Sequence, residues 1–139
     1  MMDYKITVRN EEEMMELAQN IESEKFPNMV ICLDGELGSG KTVFVKGFAQ
    51  ALGITEVITS PTFNIVKEYY SGELPLFHMD VYRLKSGSQK FGFRDYYRKG
   101  GVSIIEWSEL IADSLPAERL DIEFKIIDEN IRVLKFKPY

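Results

Sequence analysis

Cysteine, positive charge and long apolar runs are all scarce in this 139-residue chain, and each scarcity excludes a class of protein. Cys32 is the only cysteine, so no intramolecular disulfide can form and a reducing compartment is expected. The 17 Lys and Arg residues are outnumbered by 22 Asp and Glu residues, and the formal charge of −5 offers no overall field for a nucleic acid backbone. No apolar window approaches the length of a membrane span, and the N-terminal residues lack the apolar stretch of a signal peptide. We therefore expect a cytoplasmic protein that has no membrane contact and does not bind RNA tightly by itself.

The most informative feature of the sequence is a glycine-rich segment. Residues 35–42 read Gly-Glu-Leu-Gly-Ser-Gly-Lys-Thr, which is the phosphate-loop spacing of Gly, four residues, Gly, Lys and then Thr or Ser. Glycines let the backbone turn successive N–H groups toward a phosphate, Lys41 adds a cation for the β and γ phosphates, and Thr42 is placed to bind Mg²⁺. The segment predicts a site for a nucleotide and its metal ion.

The residues on either side predict the strand and the helix that such a loop requires. Before the loop, residues 29–33 form a continuous apolar run that is typical of a strand buried on both faces. After it, apolar residues recur at helical spacing up to Leu52, and Gly53 follows as a C-terminal cap. The N-terminus of this helix would add partial positive charge to the phosphate site.

Strand and helix patterns alternate along the whole chain. Residues 4–8 predict a strand near a sheet edge, and Asn10 predicts the N-cap of a helix that follows it. Two hairpins are predicted, one from residues 64–70 with 74–82 and one from residues 120–127 with 131–136. We predict one domain over residues 1–139. Its fold class is α/β, a three-layer domain of the phosphate-loop NTPase type with a mixed, mainly parallel central sheet and added hairpins.

Two acids stand where predicted strands end. Asp80 and Glu106 each follow an apolar run, and in an open α/β sheet ligands lie beyond the carboxyl ends of the strands. A carboxylate at that place can hold Mg²⁺ through a water or orient an attacking water. The alternative is an ordinary strand-end carboxylate that caps the next turn. With a phosphate loop in the same chain, the functional interpretation is favoured for both acids.

Several other residues have both a functional and a structural interpretation. Thr62 lies in a Ser-Pro-Thr-Phe segment that is either a sensor of a γ phosphate or a plain turn. His78, the only histidine, shares a face with Asp80 and is either a supporting residue for that acid or a core residue. Trp107 either stacks on a base or fills the core. Arginines can supply charge to a transition state but are more often surface residues, and the candidates here are Arg83, Arg94 and Arg98.

Four motifs in this order resemble the TsaE (YjeE) family, bacterial ATPases of tRNA threonylcarbamoyladenosine synthesis. They are the phosphate loop at 35–42, Ser-Pro-Thr-Phe at 60–63, His-Met-Asp-Val-Tyr-Arg-Leu at 78–84 and Ile-Glu-Trp-Ser-Glu at 105–109. The resemblance implies an ATPase that uses Mg²⁺ and is slow alone. It also implies that the domain works with the partners TsaB and TsaD, which transfer threonylcarbamoyl to adenosine 37 of tRNA. The domain would then contact tRNA only indirectly, through these partners.

The resemblance also assigns roles to individual residues. Lys41, Asp80 and Glu106 would form the catalytic centre. Thr42, with the same two acids, would hold Mg²⁺. The loop would bind the phosphates through Glu36, Leu37, Gly38, Ser39, Gly40, Lys41 and Thr42, and two residues, Trp107 and Arg132, would lie near the nucleotide.

The chain departs from the family pattern at several positions, which include Ser39 and Val43 of the loop region. Met14 stands where family members often carry a threonine, and residues 85–90 replace a segment that is usually acidic and longer.

Other functions stay open. One alternative is a small-molecule kinase with residues 83–98 as its lid. A second is a protein that binds ATP without hydrolysing it and only changes shape. A GTPase is not expected, because no Asn-Lys-x-Asp guanine-reading motif is present.

Overall fold

The structure is a computed structural model that describes residues 3–59, 61, 65–82 and 92–139. Among these residues, no helix is both long enough and apolar enough to cross a membrane. The elements in chain order are β1 (Tyr4–Val8), α1 (Glu11–Glu22), β2 (Val30–Gly35), α2 (Lys41–Leu52), β3 (Val66–Tyr69), β4 (Leu76–Asp80), α3 (Phe93–Tyr96), β5 (Val102–Glu106), a 3₁₀ helix (Ser108–Ser114), β6 (Leu120–Ile126) and β7 (Arg132–Pro138).

One seven-stranded sheet, with the order β1-β7-β6-β2-β5-β4-β3, runs through the described part of the chain. Its four central strands, β6, β2, β5 and β4, are parallel. The outer pairings are antiparallel, because β3 with β4 and β6 with β7 form hairpins and β1 adds to β7 at the edge. The predicted mixed sheet with a parallel centre and two hairpins is confirmed.

Apolar residues on the two faces of the sheet bury two separate layers of helix. In β5, Val102 and Ile104 belong to the larger core, which also contains the apolar faces of α1 and α2. Ile105, which points to the opposite face, packs in a second core with Phe93 of α3 and Ile111 of the 3₁₀ helix. The predicted three-layer α/β architecture is confirmed. Because the central strands are parallel, their carboxyl ends meet at one edge of the sheet.

The helix boundaries follow the capping residues of the sequence. The Asn10 side chain accepts a hydrogen bond of 2.8 Å from the backbone N–H of Glu13, so α1 begins as predicted. Gly53 ends α2 in the left-handed conformation, and its N–H bonds to carbonyls of the last turn. Helix α2 therefore starts directly after the glycine loop and holds that loop at the edge of the sheet.

Replacing Gly47 by alanine is expected to destabilise the fold. Helices α1 and α2 pack closely there, and a Cβ on Gly47 would lie 2.8 Å from Met15 Cα and 2.9 Å from the Met15 carbonyl oxygen. The overpacking should cost roughly 1–3 kcal/mol, more than the gain in helix propensity of about 1 kcal/mol. Urea unfolding would measure the change, with the exposed Lys46→Ala in the same helix as the control. A higher unfolding midpoint for Gly47→Ala than for the wild type would contradict this close packing.

Candidate functional site

A hollow of about 590 Å³ opens at the carboxyl edge of the parallel strands. The glycine loop and the start of α2 form one wall, and both predicted strand-end acids, Asp80 and Glu106, lie inside. The start of α1, including Met14, and the turn between β6 and β7 complete the lining. The fold therefore brings the loop and the two acids, which are far apart in sequence, into one cavity.

Two glycines let the loop take its shape. Gly40 has φ 104°, a left-handed conformation that side chains disfavour, and it passes directly into the first turn of α2. Gly35 lies so close to β6 that a Cβ would be 2.7 Å from the Phe124 carbonyl oxygen. Of the residues assigned to the loop, 37–42 line the hollow, whereas Glu36 is exposed and does not. The Glu36 carbonyl instead accepts a hydrogen bond of 3.1 Å from Ser39 N–H inside the loop.

Lys41 places a cation inside the hollow. It is only 5% exposed, its Nζ donates to the Gly35 carbonyl, and the same nitrogen lies 3.6 Å from the centre of the Trp107 ring. Burial lowers the pKa of Lys41 below its ordinary value, while the negative charges of Glu106 and Asp34 oppose that shift. A cation that is largely removed from water interacts strongly with an anion that enters beside it.

The two strand-end acids are direct neighbours. Asp80 and Glu106 are paired in the register of β4 with β5, so their side chains leave the same face of the sheet at the same height. Asp80 Oδ1 also accepts a hydrogen bond of 3.0 Å from Tyr82 N–H. Asp80 therefore caps the next turn, as the structural interpretation of this acid predicted. Burial raises the pKa of Asp80, and the charge of Glu106 adds to the rise.

Trp107 is held at the rim by an unusual backbone conformation. It has φ 63° and ψ 36°, and its ring packs against that of Tyr82 with 4.8 Å between the ring centres. Asp34 supports this turn from the end of β2. One carboxylate oxygen accepts from Ser108 Oγ at 2.6 Å, and the other accepts from Glu109 N–H at 3.1 Å. The sequence interpretation missed Asp34, although an acid at a strand end directly before the glycine loop was a signal of the kind used for Asp80.

The arginines separate into two groups. Arg132 lies against the loop, because its Nη2 donates to the Gly38 carbonyl at 3.1 Å and its Nη1 donates to the Asp128 carbonyl at 2.7 Å. Arg94 and Arg98 line a different hollow beside α3, and Arg94 donates to the Asp113 carbonyl. Other sequence candidates lie outside the described residues, namely Thr62, Arg83 and the segment 85–90.

The donor set suits Mg²⁺ better than a metal that needs a cage of protein ligands. Within the described ranges, no group of three or more His, Cys, Asp or Glu side chains could hold a metal ion. Magnesium ions usually take one or two carboxylates together with phosphate oxygens and waters. Thr42, Asp80 and Glu106 line the same hollow, and a cation there would relieve the repulsion that contributes to the raised pKa of Asp80. These residues therefore fit the metal that the loop motif implies.

Comparison with known proteins identifies the family of the chain. Residues 8–134 match the sequence model of the family described as Threonylcarbamoyl adenosine biosynthesis protein TsaE. The chain belongs to the TsaE family. The tRNA threonylcarbamoyladenosine biosynthesis protein TsaE of Bacillus subtilis (strain 168) is 46% identical over 127 residues, which are 91% of this chain and 80% of that protein. The protein of the same name from Treponema pallidum (strain Nichols) is 45% identical over 105 residues, 74% of this chain and 77% of that one.

A solved structure extends the likeness to the fold. The crystal structure of Bacillus subtilis YdiB superposes with a TM-score of 0.86 and 41% sequence identity, and the match covers 97% of this chain and 84% of that one. The segment matched to the TsaE family includes the glycine loop, both strand-end acids and Arg132. The resemblance inferred from four short motifs is thus confirmed over nearly the whole chain.

Proposed function

We propose that this protein hydrolyses ATP to ADP and phosphate with Mg²⁺, as an accessory subunit of tRNA threonylcarbamoyladenosine biosynthesis. One observation carries the ATPase part of the proposal. The Lys41 cation of the glycine loop lines one hollow together with Asp80 and Glu106, which are paired in the sheet register. Phosphoryl transfer needs this combination of charge neutralisation, metal ligands and an oriented water. Membership of the TsaE family supports the pathway.

Each group in the hollow would have a separate task. The backbone of the loop and the N-terminus of α2 would bind the phosphates, and Lys41 would neutralise charge on the β and γ groups. Thr42, Asp80 and Glu106 would hold Mg²⁺. The bound ion would stabilise negative charge on the transferred phosphoryl group. Glu106 would also orient the attacking water and accept its proton. Trp107 and Arg132, which border the loop, would contact the nucleotide.

The proposed reaction depends on partner proteins. We propose TsaB and TsaD as those partners, in the cytoplasm, with hydrolysis slow in the isolated chain and faster in their presence. The net charge of −5 fits a subunit that meets tRNA only through its partners. The single cysteine, Cys32, is fully buried and fits a reducing compartment.

Phosphate release from ATP, measured with and without purified TsaB and TsaD, tests this function. We expect slow release from the chain alone, a requirement for Mg²⁺, and several-fold stimulation by the partners together. Small metabolites should gain no phosphate in the same mixtures. Transfer to a metabolite would favour the kinase alternative, and ATP binding without release under any condition would favour a sensor.

A further inference from the structure

His78 is a buried polar residue on a face of the sheet that is mainly apolar. It lies in β4 on the face that packs under α1 and α2, where its neighbours in the sheet, Leu76 and Ile104, are fully buried apolar residues. The imidazole itself is also fully buried. A polar group is costly there unless it is hydrogen-bonded, so the hydrogen bond that His78 makes with a polar side chain determines what it contributes.

That contact is with Glu106. His78 Nε2 lies 2.5 Å from Glu106 Oε2, and the Glu106 side chain is almost as deeply buried as the imidazole. Sheet register explains the approach. Asp80 stands opposite Glu106, and His78 is two residues earlier on the same face, so its ring reaches diagonally up to the carboxylate. The imidazole therefore lies on the core side of the carboxylate, beneath the hollow that the glycine loop lines.

The hydrogen bond has a defined direction. Nδ1 of His78 is buried and has no hydrogen-bond partner within the described part of the chain. An ionised Glu106 can only accept a hydrogen bond, and in that state Nε2 of His78 donates the shared proton. A neutral ring protonated at Nε2 leaves only a lone pair unsatisfied at Nδ1, which costs less than leaving an N–H group unsatisfied at the same place. The geometry therefore selects the Nε2–H tautomer.

We propose that His78 is a positioning residue for ATP hydrolysis, which fixes one oxygen of Glu106 from below so that the other oxygen faces the hollow. This proposal rests on the proposed ATPase function. A carboxylate on a flexible side chain must be held in one rotamer to act on a positioned water or metal, and a buried hydrogen bond supplies that restraint. Asp80 takes its restraint from Tyr82 N–H instead, so each of the two acids has its own support.

Nitrogen NMR of the imidazole tests the hydrogen bond without any nucleotide. The chain has one histidine, so protein labelled with ¹⁵N-histidine and lacking a tag gives a single pair of ring nitrogens. We expect a protonated Nε2, a bare Nδ1, and an Nε2 proton that exchanges slowly and changes its shift in Glu106→Gln. A protonated Nδ1 with a bare Nε2, or a spectrum unaffected by Glu106→Gln, would overturn the proposal.

Single-turnover kinetics with a double-mutant cycle test the positioning role. His78→Leu should lower the rate of ATP hydrolysis by about 10- to 100-fold with little change in ATP affinity. His78→Gln, which keeps a donor near the place of Nε2, should recover most of the rate. In the Glu106→Gln background, His78→Leu should change the rate by less than about twofold, because the group it positions is already altered.

The controls separate positioning from general damage to the core. Ile104→Val removes a methylene group beside His78 in the same layer and should lower stability without lowering the hydrolysis rate. Equal losses from His78→Leu in both backgrounds, or no rescue by glutamine, would show a merely structural role and overturn the proposal. Absence of hydrolysis in the wild type with its partners would instead overturn the ATPase function, while the NMR result would still decide the hydrogen bond.

Discussion

Replacing Glu106 by glutamine is expected to lower partner-stimulated ATP hydrolysis by about 100-fold or more while ATP affinity stays close to that of the wild type. The glutamine has the same shape but is neither a proton acceptor nor an anionic metal ligand. It can still accept the hydrogen bond from His78 through its amide oxygen, so the buried pair is not broken sterically. The loss would therefore come from the missing negative charge at one point in the hollow.

Two measurements make the Glu106 result decisive. Phosphate release gives the turnover, and titration with a fluorescent ATP analogue gives the affinity. Glu109→Gln is the matched control, because this exposed acid three residues later lines no part of the hollow. Unchanged turnover in Glu106→Gln would remove the catalytic role assigned to this residue. A parallel loss of affinity and turnover would assign Glu106 to binding only.

Replacing Lys41 by alanine is expected to weaken ATP binding or turnover at least tenfold, which corresponds to ~1.4 kcal/mol for the loss of one charge-assisted contact with phosphate. In the structure the ammonium is buried at the base of the loop, where little water competes for it. Lys46→Ala in the same helix is the control, since Lys46 is exposed. Equal affinity and turnover in Lys41→Ala and in the wild type would contradict the assignment of the loop.

The Lys41 variants also separate folding from function. Burial lowers the pKa of Lys41, so the folded chain holds this proton less tightly than the unfolded chain does. At neutral pH the charge therefore opposes folding, and this cost decreases as the pH rises toward the ordinary lysine value. Lys41→Met keeps the apolar stem, so its unfolding midpoint should not fall below that of the wild type even though function is lost. A lower midpoint would mean that the contacts with Gly35 and Trp107 outweigh the cost of burial.

Much of the fold was predictable because its signals are local. The glycine spacing of residues 35–42, the cap at Asn10 and the cap at Gly53 each describe backbone conformation within a few residues. Continuous apolar runs, alternation of apolar residues, and β-branched or aromatic content then predicted the strands and both hairpins. The apolar runs before Asp80 and Glu106 placed these acids at strand ends. The general rule that α/β sheets bind ligands at the carboxyl edge of their parallel strands then suggested that both lie in the site.

The contacts between distant residues could not be predicted in this way. Arg132 touches Gly38 across 94 positions of sequence, and Asp34 supports the turn after Glu106 across more than 70. The position of Asp34 at a strand end is a local signal, but the order in which the strands pair decides which residue it or Arg132 contacts. His78 shows the same limit, since a lone histidine on a strand is compatible with an ordinary place in the core.

The sequence by itself determined the glycine-rich motif at residues 35–42, through residue spacing, and the resemblance to the TsaE family, through four motifs in the same order. Both can be identified without knowledge of the fold. Only the tertiary structure decided that β4 lies next to β5, in a register that sets Asp80 beside Glu106 and His78 beneath it. Strand order and register depend on how two apolar faces pack against helices from distant parts of the chain, and no local pattern records that choice.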